Sequence, residues 1–157
     1  MAFLYVVDGV TNNVIHQRMV EYSIASARED GTSNCVIMNG KAGALGYSYV
    51  KLYYLEDGWI RLEGKNKDDS DGWRLLTKFN LEPGKYTFTG MRGQAENTIA
   101  LQLHYYDDTG FSQYLYQFDE DIDFTVERVS EAMLHVRVYP NVESLNVLAR
   151  PAVYRNE

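Results

Sequence analysis

Apolar residues recur at every second position along most of this chain, and turn-forming residues interrupt them at intervals of roughly 8–12 residues. In an extended strand successive side chains point to opposite faces, so such alternation buries one face and wets the other. From Thr98 to Tyr106, Ile99, Leu101 and Leu103 alternate with Gln102 and His104. The same rhythm runs through Ser48–Leu55, Trp59–Glu63, Trp73–Phe79, Lys85–Gly90, Phe111–Phe118, Asp121–Arg128, Glu131–Tyr139 and Leu145–Tyr154. Ile122, Phe124 and Val126 share a face, as do Val136 and Val138. Between these runs lie Glu56-Asp57-Gly58, the polar loop Gly64–Gly72, Leu81-Glu82-Pro83-Gly84 and Asp107-Asp108-Thr109-Gly110. Asp-Gly and Pro-Gly pairs supply the backbone angles that tight turns need. Helical periodicity is weak, and its best candidate is Val20–Glu29. The expectation is an all-β protein, an antiparallel β-sandwich of about nine short strands.

A chain of 157 residues fits one domain. The expected sandwich occupies residues 34–157. Residues 1–33 differ: Phe3–Val7 and Val14–Met19 fit a hairpin across Asp8–Asn13, and Glu21–Ser33 is small and polar. This segment is read as an N-terminal arm or attachment element, the alternative being a further strand in the same core.

Net charge is −7, with 15 basic residues scattered among 22 acidic ones. Phosphate backbones are held by concentrated Lys and Arg, so no nucleic-acid partner and no anionic membrane surface is expected. No apolar stretch approaches the roughly 20 residues that span a bilayer. The start, Met-Ala-Phe-Leu-Tyr-Val-Val-Asp, lacks the basic n-region of a signal peptide. Cys35 is the single cysteine, which leaves no intramolecular disulfide, and it reads as a small residue near a strand start.

Recognisable catalytic chemistry is thin. There is no Gly-rich phosphate loop and no nucleophile elbow. His16, His104 and His135 do not fall at metal-ligand spacing, and His104 and His135 read as solvated positions on outward faces. Asp107/Asp108 and Asp119/Glu120/Asp121/Asp123 are the carboxylate clusters that a glycosidase-like pair would draw on, but both sit in or beside turns. Asp68-Asp69-Ser70-Asp71-Gly72 has oxygen ligands close together, as a calcium loop does, without the downstream bidentate Glu. No catalytic residue, metal or cofactor is assigned.

One surface stands out. If Tyr106 pairs with Phe111 across the Asp107–Gly110 loop, Leu101, Leu103, Tyr114, Tyr116 and Phe118 share the core face. The opposite face then carries Gln102, His104, Tyr106, Phe111, Gln113 and Gln117, with Arg137 and Tyr139 as neighbours. A slip of one residue would exchange the faces. Amides, an imidazole, a guanidinium and Tyr rings suit sugar recognition: rings stack on C–H faces and polar groups satisfy hydroxyls. They equally suit a polar subunit interface or an ordinary wet sheet face. Gln102, His104, Tyr106, Gln113, Arg137 and Tyr139 are the candidate ligand-binding residues. Trp59 and Trp73 each open a strand after a polar loop, as rim aromatics or core plugs.

Three segments carry a resemblance. Glu56-Asp57-Gly58-Trp59-Ile60-Arg61-Leu62-Glu63-Gly64, Phe79–Gly90 (Phe-Asn-Leu-Glu-Pro-Gly-Lys-Tyr-Thr-Phe-Thr-Gly) and Asn146–Val153 resemble the carbohydrate-binding-module-like jelly-roll domains of tailed-phage virion proteins. The middle motif is the most distinctive. In the last, Ala149-Arg150 replaces the usual aromatic-Lys before Pro151, and Ala152 replaces Met. The resemblance implies a jelly roll and a non-enzymatic capsid-decoration, tail or baseplate protein. Other virion proteins, copies of itself and surface glycans would be its partners. It would be assembled in the host cytoplasm, with residues 1–33 as an anchor, and it fixes no set of binding residues. The alternatives are a stand-alone carbohydrate-binding adhesion module and, less favoured, a glycan-cleaving enzyme.

Overall fold

The computed structural model describes residues 2–8, 14–20, 35–39, 47–55, 58–67 and 69–156, those up to residue 49 by backbone alone. The described residues form strands and no α-helix. The strands are β1 (Ala2–Asp8), β2 (Val14–Val20), β3 (Cys35–Asn39), β4 (Tyr47–Tyr54), β5 (Ile60–Asn66), β6 (Gly72–Leu81) and β7 (Gly84–Thr89). They continue as β8 (Ile99–Tyr106), β9 (Ser112–Gln117), β10 (Ile122–Val126), β11 (Ser130–Val138), β12 (Val142–Ala149) and β13 (Ala152–Arg155). The all-β expectation holds, and the candidate helix Val20–Glu29 lies, beyond Val20, outside the described residues.

Three sheets form, in the orders β6-β11-β8-β9, β12-β5-β4-β3 and β10-β7-β13-β1-β2. Pairing is antiparallel except where β1 runs parallel to β13, with Tyr5 opposite Ala152. β1 and β2 form the expected antiparallel hairpin. They extend the sheet of β13, so this part of residues 1–33 is joined by backbone hydrogen bonds to the segment read as the sandwich.

One core joins the three sheets. Leu52, Leu62 and Val147 come from one, Phe79, Leu101 and Leu134 from the second, and Tyr86, Phe88 and Val153 from the third. β11 shows how the sequence pattern does this. Ala132, Leu134, Val136 and Val138 are buried, while Met133, His135 and Arg137 between them face the other way. Each large aliphatic side chain so buried contributes roughly 1.5–3 kcal/mol of hydrophobic stabilisation.

The closing strand, expected as one run, is two. Pro151 has no N–H to donate, so the ladder breaks there. β12 pairs with β5, and β13 pairs with β7 in a different sheet. Gly90 makes the crossing possible. Arg150 N–H donates to Gly90 O at 2.8 Å. A Cβ on Gly90 would lie 2.5 Å from Arg150 O and 2.6 Å from Pro151 Cα. The final glycine of the Phe79–Gly90 motif is thus a point of backbone contact.

Candidate functional site

The β8–β9 hairpin differs from its expected register. Tyr106 lies opposite Ser112, not Phe111. Asp107 N–H donates to Phe111 O at 2.9 Å, which leaves Asp108-Thr109-Gly110 as a three-residue loop. Gly110, at φ +89°, supplies the left-handed residue that ends such loops. The Asp107 carboxylate fixes this geometry. Oδ1 accepts from Thr109 N–H (3.0 Å), the Thr109 hydroxyl (2.7 Å) and Phe111 N–H (2.9 Å). Those bonds, the Thr109 hydroxyl foremost, hold the Asp107 carboxyl below its ordinary pKa.

The one-residue shift exchanges the faces of β9. Tyr114 now stands opposite His104 and Tyr116 opposite Gln102, on the outer face. Gln113 and Gln117 turn to the other side. Gln113 lies opposite Tyr105 and donates to Asp107 Oδ2 at 2.8 Å. Gln117 is fully buried, its Oε1 accepting from Met91 N–H (2.8 Å) and its Nε2 donating to Met91 O (2.7 Å). The expected core placement of Tyr114 and Tyr116, and the expected outer placement of Gln113 and Gln117, are therefore corrected.

Across the outer face of β6-β11-β8-β9, cross-strand rows build a groove. One row runs Leu75–His135–Gln102–Tyr116, the next Lys78–Met133–His104–Tyr114, and Trp73 lies opposite Arg137. The groove has a volume of about 540 Å³ and is lined by Asp71, Trp73, Gln102, His104, Tyr114, Tyr116, Met133, His135 and Arg137. Of the sequence candidates, Gln102, His104 and Arg137 line it. Tyr106 packs against His104 with ring centroids 5.0 Å apart, beside the groove. Tyr139 holds the far side of Arg137, whose guanidinium carbon lies 4.6 Å from the Tyr139 centroid and 5.4 Å from that of Tyr116.

His104 and His135 face outward as expected, but His104 is buried and His135 half-buried rather than freely solvated. The Tyr114 ring stacks on His104 at 4.5 Å and 10° between planes. It leaves His104 8% exposed while Tyr114 itself remains 49% exposed. Trp73, 42% exposed, meets His135 edge-on at 5.5 Å. Burial lowers the pKa of both imidazoles. For His135, burial together with the nearby His104 and Lys78 brings it down to about 4. Both rings are thus neutral at pH 7. His104 Nε2 and His135 Nδ1 are buried without a hydrogen-bond partner.

Asp71 Oδ2 accepts from Arg137 Nη2 at 2.6 Å, with the two side chains 19% and 25% exposed. The loop that resembles a calcium site therefore turns Asp71 onto a guanidinium. Burial by itself lowers the Arg137 pKa, but the hydrogen bond and charge of Asp71 outweigh it. The acidic cluster beside β10 is engaged likewise: Asp121 accepts from the Thr89 hydroxyl and from Arg92 Nη2. The Thr89 bond, helped by Arg92, holds Asp121 below the usual carboxylate range.

No protein-family model matches the chain. No curated protein matches it. One solved structure, described as that of accessory secretory protein 1, 2 and 3 in Streptococcus pneumoniae, contains a chain that is 14% identical. The match covers 77% of this chain and 95% of that one, at a TM-score of 0.44. A likeness of that degree carries no argument about function.

Proposed function

We propose that this protein is a non-catalytic virion accessory protein of a tailed phage, decorating a capsid or tail and presenting a glycan-binding groove on its β-sandwich. The groove carries the sugar-binding part of the reading. Exposed rings of Trp73 and Tyr114 line it together with Gln102, His135 and Arg137, while His104 lies beneath the Tyr114 ring. Aromatic faces pack on the C–H faces of pyranose rings, while amide, imidazole and guanidinium groups satisfy hydroxyls that lose water. Binding sites of this kind are concave, largely apolar and armed with few polar groups.

Among the described residues Asp71 is the one carboxylate lining the groove, and it is tied to Arg137. Asp107 and Asp121 are engaged in their own turns. Those engagements favour binding over hydrolysis, which uses two carboxylates flanking one bond. The virion setting rests on the resemblance of the Glu56–Gly64, Phe79–Gly90 and Asn146–Val153 segments, and includes the jelly-roll connectivity, copies of the chain and other virion proteins as partners. A stand-alone carbohydrate-binding adhesion module is the second reading. It rests on the same groove and needs no part of the resemblance.

Mass spectrometry of purified particles tests the setting, and the full chain should be present at stoichiometric levels. The full chain is the right reagent, because deleting residues 1–33 also removes β1 from the edge of β13. Absence from particles together with specific glycan binding would favour the adhesion module.

A further inference from the structure

We propose that the groove selects charge-neutral glycans bearing vicinal hydroxyls and rejects uronic or sialylated ones, with the Asp71–Arg137 pair as the selecting element. This rests on the groove being a sugar site, and it adds the class of sugar.

The selection follows from charge. Asp71 and Arg137 are in contact at 2.6 Å and largely hidden from water, so the pair presents no net charge. Gln102 is neutral, and burial keeps His104 and His135 unprotonated at pH 7. The lining therefore sums to zero, and Lys78, which lies beside His135, is paired with Glu131 at 3.7 Å. An acidic sugar entering it would leave water and find the guanidinium already engaged by a carboxylate. Its own carboxylate would sit beside Asp71, where like charges repel in a partly desolvated site. The chain's net charge of −7 adds long-range repulsion against a polyanion.

A vicinal diol meets the opposite situation. A carboxylate only accepts, and it keeps lone pairs after bonding Arg137. A guanidinium only donates, and it keeps N–H groups after bonding Asp71. Adjacent hydroxyls, one donating and one accepting, match that pair without bringing charge. The Tyr139 and Tyr116 rings also lie against the guanidinium, which helps fix the pair in place before a ligand arrives.

The test is a glycan array on which each neutral glycan stands beside its uronic or sialylated counterpart, probed with the full chain and with Asp71→Asn. The wild type should bind neutral members at least about tenfold more tightly than their acidic counterparts, a difference of about 1.4 kcal/mol. Asp71→Asn, nearly the same shape without the charge, should raise the acidic-to-neutral ratio by about tenfold. Equal or tighter wild-type binding to acidic members overturns the selection and leaves the sugar site standing. An unchanged ratio in a folded Asp71→Asn overturns Asp71 as its source. Should Asp71→Asn fail to fold, the wild-type ratio alone decides. Binding to neither class overturns the sugar site itself, and this inference with it.

Discussion

The Tyr114 ring lies flat on His104, 4.5 Å between centroids and 10° from parallel. The contact exists because the three-residue loop sets Tyr114 directly opposite His104 on β8. Replacing Tyr114 with Ala should uncover the imidazole. The His104 pKa, lowered by burial, should rise toward 6.5, as an NMR titration of its ring protons would show. Loss of the stack should cost about 0.5–1.5 kcal/mol of stability, and glycan binding should weaken by about tenfold or more.

His135 should make the protein sensitive to mild acid. Its folded pKa of about 4 lies below the ordinary 6.5, so the unfolded chain binds more protons between those values. The contribution is neutral above pH 6.5 and turns increasingly destabilising as pH falls, reaching about 2 kcal/mol near pH 4 once solvent screening at the half-buried ring is counted. His104 and Lys78 are the titratable groups beside it. Denaturant melts at pH 7, 5.5 and 4.5 on wild type and His135→Gln should show a shallower decline in the variant. Asp107 and Asp121, held below the carboxylate range, give stability that is complete above their ordinary 3.8 and is lost only as pH falls through their lowered pKa values.

Gly90→Ala should destabilise the fold by about 2–4 kcal/mol, since the added methyl meets the backbone of Arg150 and Pro151 and the backbone is already at φ +138°. Gly93→Ala is the control. Gly93 sits at φ +67° with nothing within 4 Å of the added carbon, so only backbone strain of about 1 kcal/mol applies. Thermal melts of the two variants should separate accordingly.

Gln117→Leu should cost about 2–3 kcal/mol, because it leaves the buried Met91 N–H without its acceptor. Met91 O keeps a bond from Arg92 Nη1, so the damage falls on the N–H side. Hydrogen exchange at the Met91 amide should quicken well beyond what global destabilisation accounts for.

Much of the fold was legible because burial follows a period of two. Ile122, Phe124 and Val126 on β10 turn to the core together, as do Val136 and Val138 on β11. Pro151 cannot continue a ladder, yet the alternation runs straight through it as one strand, and the change of sheet depends on Gly90, distant in sequence, admitting the Arg150 backbone.

The site was legible only in part. Gln102, His104 and Arg137 were found by alternation alone. A four-residue loop puts Tyr114 and Tyr116 in the core and a three-residue loop puts them outside; a loop ending in glycine fits both, and the Asp107–Phe111 hydrogen bond decides between them. Alternation sets His104 and His135 on the outer face but reports direction only, not what lies on top of them. Asp71 read as part of a loop, and its partner Arg137 is sixty-six positions away.

The groove's role in sugar binding is tested most directly by its own tryptophan. The chain has two, Trp59 and Trp73, so its NMR spectrum should hold two indole N–H peaks, and Trp73→Phe assigns them. Titration with the best neutral oligosaccharide from the array should move the Trp73 peak in a saturable manner and leave that of Trp59 in place. Movement of Trp59 alone, or of neither peak under conditions where the sugar is bound, would contradict a binding site on the outer face of β6-β11-β8-β9.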